Sequence, residues 1–456
     1  MNFEKIVTPG LASNSYFIAG ASQAAVIDPR RDIDVYLHLA KKYSVQISTI
    51  FDTHRNEDFV NGSVELSKAT DAKIYHGKAL DFKYGNSIKE NDEIIVNDMI
   101  FSILETPGHT PESISVVVKM KDHKENPIMV FTGDALFAGD VGRIDFYRDK
   151  KEQAKAAKIL YDSIFNKLLK LPDSTVVYPA HGAGSVCGGN ITGLPFTTIG
   201  YEKKTNPRLN MSKEDFLDLK SKERFDIAPY MSKMEEYNLE GAPLLNGLPK
   251  PKSLTIKELK EYQQKDVQII DTRKPASFAG AHIHNTLHIW KNGLPVYAGW
   301  FLDYEKPIII IKDKHQDIEK IVRYLIRLGY DNIHGYLETF SKWYVTGNNF
   351  QEFDTWSVEQ LQENLDNKDL FILDVRPEHK VEVEGKIPNS TNIFVGHLKK
   401  HLKKVPKDKK ICVYCDGGFK ASIALSILQQ NGYNNILNVL GGTHGWMNKG
   451  YDLEKV

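Results

Sequence analysis

The sequence is poor in cysteine, has no long apolar run and carries no excess of either charge. Three cysteines, Cys187, Cys412 and Cys415, occur in 456 residues. Disulfides therefore cannot stabilise the chain as a whole, and an odd number of thiols fits a reducing compartment in which thiols react. The longest aliphatic run, PIIIIK, is far shorter than the roughly 20 residues that cross a bilayer. We therefore predict a cytoplasmic protein without a membrane segment.

The charge balance and the opening residues exclude two further classes. Acidic and basic residues number 59 each, whereas nucleic-acid-binding domains normally carry a basic stripe. The opening residues MNFEKIVTPG lack the basic region and apolar core of a secretory signal. We expect no nucleic acid partner and no leader peptide.

The length of the chain and two linkers predict a multidomain protein. A chain of 456 residues is too long for one hydrophobic core and favours about two to four domains. The segments GAPLLNGLPKPKS (241–253) and VTGNNFQEFDTW (345–356) are rich in turn-forming residues. We predict domains at residues 1–245, 253–347 and 355–456.

A repeat fills the second half of the chain. IIDTRKPASFAGAHIHNTLHI aligns with ILDVRPEHKVEVEGKIPNSTNI, and RLGYDNI aligns with QNGYNNI. An interval of 103 residues separates the matching pairs Asp271 and Asp374, Arg273 and Arg376, Gly329 and Gly432, and Trp343 and Trp446. Helical and strand patterns alternate within each copy, which predicts two α/β domains with parallel sheets covered on both faces.

Ionisable side chains in the first domain follow apolar strands. VQISTIF leads to His54 in FDTHRNEDFVNG, and VFTGDALF contains Asp134. His109 follows the turn in ETPGHTPES, and His181 occupies a similar place in VVYPAHGAG. These side chains are candidate metal ligands, although one histidine at a strand end is more often hydrogen-bonded than metal-bound.

The first domain resembles the persulfide dioxygenase branch of the metallo-β-lactamase superfamily. The motifs DTHRNEDF, TPGHTPES, FTGDALF, GRIDF, YPAHGAG and KTNPRL occur in the order of that branch. The resemblance implies an αββα sandwich and one Fe(II) per chain, held by His54, His109 and Asp134. Two histidines and one carboxylate form the facial triad that suits non-haem Fe(II). The family's second metal site needs histidines where this chain has Asn56 and Phe59.

The resemblance also implies supporting residues around the metal. Asp58 and His181 are expected either to hold ligands or waters in place or to be vestigial, rather than to bind the metal itself. Arg143 and Asp145 in GRIDF are expected to form a buried structural pair.

Two residues are candidates for substrate binding. Arg208 in NPRL resembles the family's basic residue for the acidic end of the substrate, although a surface salt bridge is the alternative. Cys187 lies in the glycine-rich segment PAHGAGSVCGG, where glutathione-specific relatives carry a Tyr after the histidine. We expect Cys187 near the pocket, with a role as a small apolar residue as the alternative.

The last copy resembles a rhodanese sulfurtransferase. The strand KICVY leads into CDGGFKAS and an apolar helix, and such a loop stabilises a thiolate through backbone N–H groups and the helix N-terminus. Cys415 is the predicted nucleophile, and Lys420 replaces the Arg that is often found there. Cys412 lies within the strand and is expected in the core.

The middle copy cannot perform the same reaction. The constant interval places Lys312 opposite Cys415, and IIIIKDKHQDIEK has neither a thiol nor a glycine-rich loop. We interpret the copy as degenerate, with a role in spacing the other domains, in packing against them or in self-association. Its aromatic segment HIWKNGLPVYAGWF (288–301) predicts an interface, and we expect a homo-oligomer.

The whole chain resembles the bacterial fusions of a persulfide dioxygenase with rhodanese domains. The resemblance implies an enzyme of sulfide detoxification: Fe(II) and O₂ oxidise a low-molecular-weight thiol persulfide to sulfite and thiol, and Cys415 transfers sulfane sulfur to sulfite, giving thiosulfate. Two alternatives remain. One is a zinc-dependent thioester hydrolase of the glyoxalase II kind, and the other is a non-catalytic sulfur carrier or scaffold.

Overall fold

The computed structural model describes residues 1–147, 149–185 and 188–456. The chain forms two compact units, Met1–Leu248 with Ile326–Gly329, and Pro249–Leu325 with Tyr330–Val456. Within the described residues, no helix has both the length and the apolar character that crossing a membrane requires.

The first unit contains two six-stranded sheets. Their strand orders are β1-β2-β3-β4-β5-β6 and β12-β11-β10-β9-β8-β7. The strands are β1 Asn2–Thr8, β2 Ser13–Ala19, β3 Gln23–Ile27, β4 Gln46–Asp52, β5 Lys73–Gly77, β6 Asn86–Ile88, β7 Glu93–Val96, β8 Met99–Glu105, β9 Ile114–Met120, β10 Met129–Gly133, β11 Val176–Pro179 and β12 Thr197–Thr198. The helices are α1 Asp34–Tyr43, α2 Ser63–Thr70, α3 Lys150–Asn166, α4 Ile199–Thr205, α5 Lys213–Lys222 and α6 Met231–Glu240.

Strand β2 shows why the first unit has four layers. Successive side chains of a strand point to opposite faces, and every residue of SNSYFIA is buried. Ile18 packs into the core between the sheets together with Phe101 and Phe131. Phe17 points the other way, into a core that α1 and α2 complete. A third core joins the second sheet to α3 through Leu160, so the predicted αββα sandwich is confirmed.

The second unit contains two five-stranded parallel sheets with equivalent strand orders, β13-β17-β16-β14-β15 and β18-β22-β21-β19-β20. The strands are β13 Lys252–Ser253, β14 Gln268–Asp271, β15 Leu287–His288, β16 Ile308–Ile311, β17 Ile333–Leu337, β18 Asp354–Trp356, β19 Leu370–Asp374, β20 Thr391–Asn392, β21 Lys410–Tyr414 and β22 Ile436–Val439. The helices are α7 Ile256–Gln263, α8 Pro275–Gly280, α9 Leu294–Phe301, α10 Ile318–Ile326, α11 Ser341–Tyr344, α12 Val358–Glu363, α13 Glu378–Glu384, α14 Leu398–His401, α15 Phe419–Gln430 and α16 Gly442–Asn448. The predicted α/β class with parallel sheets is confirmed.

The repeated Asp-x-Arg motif forms the same buried ion pair in both copies. Arg273 Nη2 donates to Asp271 Oδ2 at 2.7 Å, and Arg376 Nη2 donates to Asp374 Oδ2 at 2.7 Å. Each aspartate ends a strand next to the centre of its sheet, so each pair fixes the backbone that follows that strand. Both pairs are buried and hold the same place in the two copies.

The middle copy packs against the last copy. The residues of helix α15 from Ala421 to Leu428 are all buried. One face of this helix packs on the sheet of the last copy, and the middle copy covers the opposite face. His288 of the middle copy donates its backbone N–H to Ser426 Oγ at 3.1 Å. Of the three roles proposed for this copy, packing is the one that these contacts support, whereas the oligomeric state stays a prediction.

The predicted aromatic interface lies within the second unit. The ring centroids of Trp290 and Phe419 are 5.0 Å apart, and those of Trp300 and Phe394 are 5.3 Å apart. The aromatic rings of segment 288–301 therefore pack in part against the last copy.

Candidate metal centre and sulfur-transfer loop

Ends of strands from both sheets supply the candidate metal ligands. His54 follows β4, Asp134 directly follows β10, and His109 lies in the turn between β8 and β9. The ligand atoms of these three side chains lie within 4.8 Å of one another. All three are buried, with an exposed fraction of 1% or less. The structure thus brings together the three residues that the sequence nominates, whose role as ligands stays a prediction.

His54 presents an unpaired nitrogen to the centre. Its Nδ1 lies 2.9 Å from Thr53 Oγ1, and this hydroxyl donates to Asp28 Oδ2 at 2.8 Å. Its Nε2 is buried, has no hydrogen-bond partner among the residues that the structure describes, and lies 3.8 Å from Asp134 Oδ2. A buried imidazole nitrogen without a partner is costly unless a ligand completes it, so the donor set fits a metal ion. Burial lowers the pKa of His54, which favours the neutral, metal-binding form.

His109 is held in the tautomer that a metal needs. Its Nδ1 lies 2.8 Å from the carbonyl oxygen of Arg143, which can only accept, so Nδ1 carries the proton. Nε2 then faces the centre, 3.5 Å from Asp134 Oδ2 and 3.3 Å from Glu57 Oε2. Burial alone would lower the pKa of His109, but Glu57, Asp134 and the Arg143 carbonyl together outweigh it and raise the pKa to about 9.

His181 supports Asp134 from behind. Its Nδ1 lies 2.7 Å from Asp134 Oδ1, and its Nε2 lies 3.1 Å from Asp58 Oδ2. Both nitrogens are therefore engaged by carboxylates, which leaves neither for the metal. Burial opposes ionisation of Asp134, yet His181, His54 and His109 together hold its pKa below the usual range. This geometry suits the supporting roles proposed for Asp58 and His181.

The positions of the family's second metal site carry different groups. Asn56 donates through Nδ2 to Asn61 Oδ1 at 2.8 Å. The ring of Phe59 is 3% exposed and meets the His181 ring edge-on at a centroid distance of 6.4 Å. An amide and an apolar ring replace two imidazoles, so the donors around His54 suit one ion better than two.

Of the two candidate substrate-binding residues, the structure describes Arg208. Arg208 donates through Nε to Asp140 Oδ1 at 3.0 Å and is partly exposed. This ion pair is the alternative that the sequence left open, and a substrate contact stays a prediction. Cys187 lies outside the described residues. Arg143 pairs with Asp145 through Nε and Oδ1 at 2.6 Å, both buried.

Sequence reasoning missed three acidic residues in this region. Asp28 accepts hydrogen bonds from the backbone N–H and hydroxyl of Thr53, Asp140 holds Arg208, and Glu57 contacts His109. Glu57 occupies a position of the His-x-x-x-Asp motif that the family pattern leaves free. Only the fold shows which way its carboxylate points.

The candidate sulfur-transfer loop, residues 415–420, follows β21. Cys415 is 1% exposed, and its Sγ accepts the backbone N–H of Gly418 at 3.2 Å. Gly442 supports the loop so closely that an added Cβ would lie 1.9 Å from the carbonyl oxygen of Cys415. Lys420 donates to the carboxylate of Asp416. This ion pair partly neutralises the positive charge that we predicted for the site of Cys415.

The thiol of Cys412 faces the core of the last copy. Cys412 is fully buried in β21 among the aliphatic and aromatic residues of that core. Burial raises its pKa to about 12, so it stays protonated and unreactive. Its position agrees with the structural role predicted from the strand pattern.

Two family models match separate parts of the chain. The model of the metallo-beta-lactamase superfamily matches residues 8–181, and that of the rhodanese-like domain matches residues 255–346 and 357–449. The mitochondrial persulfide dioxygenase ETHE1 of Bos taurus is 30% identical over 206 residues, which cover 44% of this chain and 72% of that protein. The chain belongs to the metallo-β-lactamase superfamily. With ETHE1 homologues and a tandem pair of rhodanese domains, this superfamily member has the organisation of an ETHE1-like fusion.

The chain is also similar to a hydrolase and to a metallo-beta-lactamase of known structure. Hydroxyacylglutathione hydrolase GloC of Haemophilus influenzae is 27% identical over 233 residues, which cover 46% of this chain and 99% of that protein. A crystal structure of a metallo-beta-lactamase from Staphylococcus aureus is 29% identical, with a TM-score of 0.65, and the match covers 74% of this chain and 98% of that chain. Sequence similarity alone therefore places dioxygenases and hydrolases at comparable distances.

Proposed function

We propose that this protein oxidises low-molecular-weight thiol persulfides with O₂ and passes sulfane sulfur to the product sulfite. In the first reaction, persulfide, O₂ and water give thiol, sulfite and two protons. In the second, Cys415 transfers a sulfur atom to sulfite, which gives thiosulfate. The observation that carries the proposal is the meeting of His54, His109 and Asp134 within 4.8 Å while Asn56 and Phe59 stand where a second metal would need histidines.

The donor set supports one Fe(II) per chain. Two imidazoles and one carboxylate suit non-haem iron and leave coordination positions open. Iron bound there would bring persulfide sulfur and dioxygen together and supply the electron transfer between them. Zinc in hydrolases of this superfamily works with the second group of ligands, which this chain lacks at two positions.

The surrounding residues orient the donors and keep water away. The Arg143 carbonyl fixes the tautomer of His109, and Thr53 with Asp28 orients His54. The near-complete burial of the three donors excludes bulk water, which strengthens the electrostatic interactions within the site.

Cys415 then carries out the second reaction. Its thiolate attacks the outer sulfur of a second persulfide, the S–S bond breaks, and the carrier leaves as a thiolate that takes up a proton. Sulfite attacks the sulfur now held on Cys415, which regenerates the thiolate and releases thiosulfate. The N–H of Gly418 at 3.2 Å from Sγ supports the negative charge on sulfur.

Oxygen consumption and product analysis test the proposal. Purified protein should bind one iron per chain, consume O₂ with a thiol persulfide and form sulfite and thiosulfate. His109→Ala should abolish oxygen consumption, whereas Cys415→Ser should keep sulfite formation and lose thiosulfate. Cys412→Ala, which removes the buried thiol of the strand that precedes Cys415, should keep both products and serves as the control.

Two outcomes would replace the proposal by one of its rivals. Two zinc ions per chain, hydrolysis of an acylglutathione thioester and no oxygen consumption would establish a glyoxalase II-like hydrolase. Unchanged oxygen consumption in His109→Ala would show that the first domain does not oxidise persulfides and would leave a sulfur carrier or scaffold.

A further inference from the structure

A large cavity lies between the loop of Cys415 and the middle copy. Its volume is about 1040 Å³, and it is lined by segments 272–277, 290–292 and 313–316 of the middle copy together with Gly417, Phe419 and Leu440 of the last copy. Pockets for small organic ligands measure roughly 300–1000 Å³. The cavity is therefore large enough for an organic sulfur carrier and much larger than an inorganic anion requires.

The cavity wall is cationic. Lys274, Lys291 and Lys314 line it, and within the part of the chain that the structure describes none of the three makes an ion pair. Arg273 also lines the cavity, but Asp271 neutralises it. Asp313 is the one acidic residue among the described lining residues. Three unneutralised ammonium groups against one carboxylate attract an anionic ligand.

The middle copy also supplies the apolar surface next to the thiol loop. Trp290 packs on Phe419 with ring centroids 5.0 Å apart, and Phe419 is 48% exposed. Tyr297 is buried close to the sulfur site: burial and then the charges of Cys415 and Asp416 raise the pKa of its hydroxyl. A ligand in the cavity would thus meet aromatic rings from both copies beside the loop of Cys415.

The cationic wall includes the remnant of a sulfur-transfer loop. The interval of 103 residues places Lys314 opposite Gly417 and Gln316 opposite Phe419. The degenerate loop and the active loop line the same cavity. Where the active copy has Gly417 and Gly418, the degenerate copy carries the side chains of Lys314 and His315.

We propose that this cavity binds the sulfur donor of Cys415 and that the donor is a small organic persulfide bearing carboxylates. The proposal rests on the proposed function and names the substrate class of its second reaction. The lysines bind the carboxylates, and Trp290 and Phe419 pack on the organic body. The thiolate of Cys415 attacks the outer sulfur, the S–S bond breaks, and the carrier thiolate leaves with its carboxylates still bound by the middle copy.

Charge reversal on the wall provides the test. In the full-length protein, the variant Lys274→Glu/Lys291→Glu/Lys314→Glu is mixed with glutathione persulfide, and the sulfur loaded onto Cys415 is followed by mass spectrometry. We expect the second-order rate of loading to fall about tenfold or more, because three attractions become repulsions. With the diethyl ester of the same persulfide, which lacks both carboxylates, the rate should change little. The Lys→Gln triple variant should fall between the two, and Lys320→Glu, an exposed reversal outside the cavity, should behave as wild type.

The outcomes separate this proposal from the proposed function. Equal losses with the acid and the ester would show that the lysines do not read carboxylates and would overturn the inference, as would no loss with either. If the loading rate with thiosulfate as donor fell as much as the rate with glutathione persulfide, the lysines would bind an inorganic anion, and the inference would be overturned. Failure of wild-type Cys415 to take sulfur from any persulfide would overturn the second reaction of the proposed function. Oxygen consumption, measured in parallel, should be the same in all variants.

Discussion

Nε2 of His109 lies 3.3 Å from Oε2 of Glu57 in the buried metal centre. Nδ1 of His109 already donates to a backbone carbonyl, so Nε2 is the atom that faces the metal position. Glu57 thus contacts the metal-facing atom of a candidate ligand. Burial opposes its ionisation, but His109 lowers the pKa of Glu57, which keeps the carboxylate charged.

Glu57→Gln should weaken metal binding without removing a candidate ligand. The carboxylate charge of Glu57 lies beside the atom that faces the metal and attracts a cation there. Residues around metal ligands typically contribute about 10- to 100-fold to metal affinity, and we expect a loss of that order. Competition with a chromophoric chelator measures it independently of turnover. Glu235→Gln, which removes a partly exposed carboxylate paired with Arg55, should have no effect. Unchanged affinity in Glu57→Gln would show that Glu57 only fills space.

Restoring histidines should create a second metal site. The double variant Asn56→His/Phe59→His replaces an amide and a buried ring with two imidazoles at the positions where the family's second metal site has histidines. We expect the metal content to rise from one ion toward two per chain, as measured by elemental analysis after zinc loading. The single variant Phe59→His should stay near one ion. If wild type already binds two ions, the one-metal interpretation is wrong.

Acid should destabilise the second unit through His288. Burial lowers the pKa of His288 from 6.5 to about 4, so the unfolded chain takes up a proton in this range while the folded chain does not. Stability is therefore fully present above pH 6.5 and is lost as the pH falls toward 4, by about 3 kcal/mol in total. Urea unfolding at pH 7 and at pH 5 measures the change. His288→Gln should flatten this dependence, whereas the exposed variant His284→Gln should retain the wild-type slope.

Gly442→Ala should disable sulfur transfer and spare oxidation. The new Cβ would lie 1.9 Å from the carbonyl oxygen of Cys415, at a φ of +48°, so the loop must shift. Displacement of a reacting group by about 1 Å can cost 100-fold in rate, and we expect thiosulfate formation to fall by that order while oxygen consumption persists. Gly450→Ala, with a φ of +77° and open space around its Cβ, controls for backbone strain alone. A fully active Gly442→Ala would show that the loop tolerates the shift.

Several elements of this protein could be predicted from local sequence. The aliphatic strands β16 and β21 are runs of buried residues, and the constant interval between the copies predicts equal topology. The short edge strand β13 was missed, because two exposed residues carry no periodic pattern. It forms only through pairing with β17, which is a tertiary contact.

Short motifs show which chemical groups are available: two histidines and an aspartate after strand ends, one thiol in a glycine-rich loop, and a second copy without a thiol. These choices are local, since a motif and the strand before it lie within a few residues. The tertiary structure decided which groups meet. In the fold, Glu57 contacts His109, and Lys420 donates to Asp416. The lysines of the degenerate copy line the same cavity as the loop of Cys415. These contacts could not be predicted, because side-chain direction and contacts between distant segments depend on packing that no local pattern encodes.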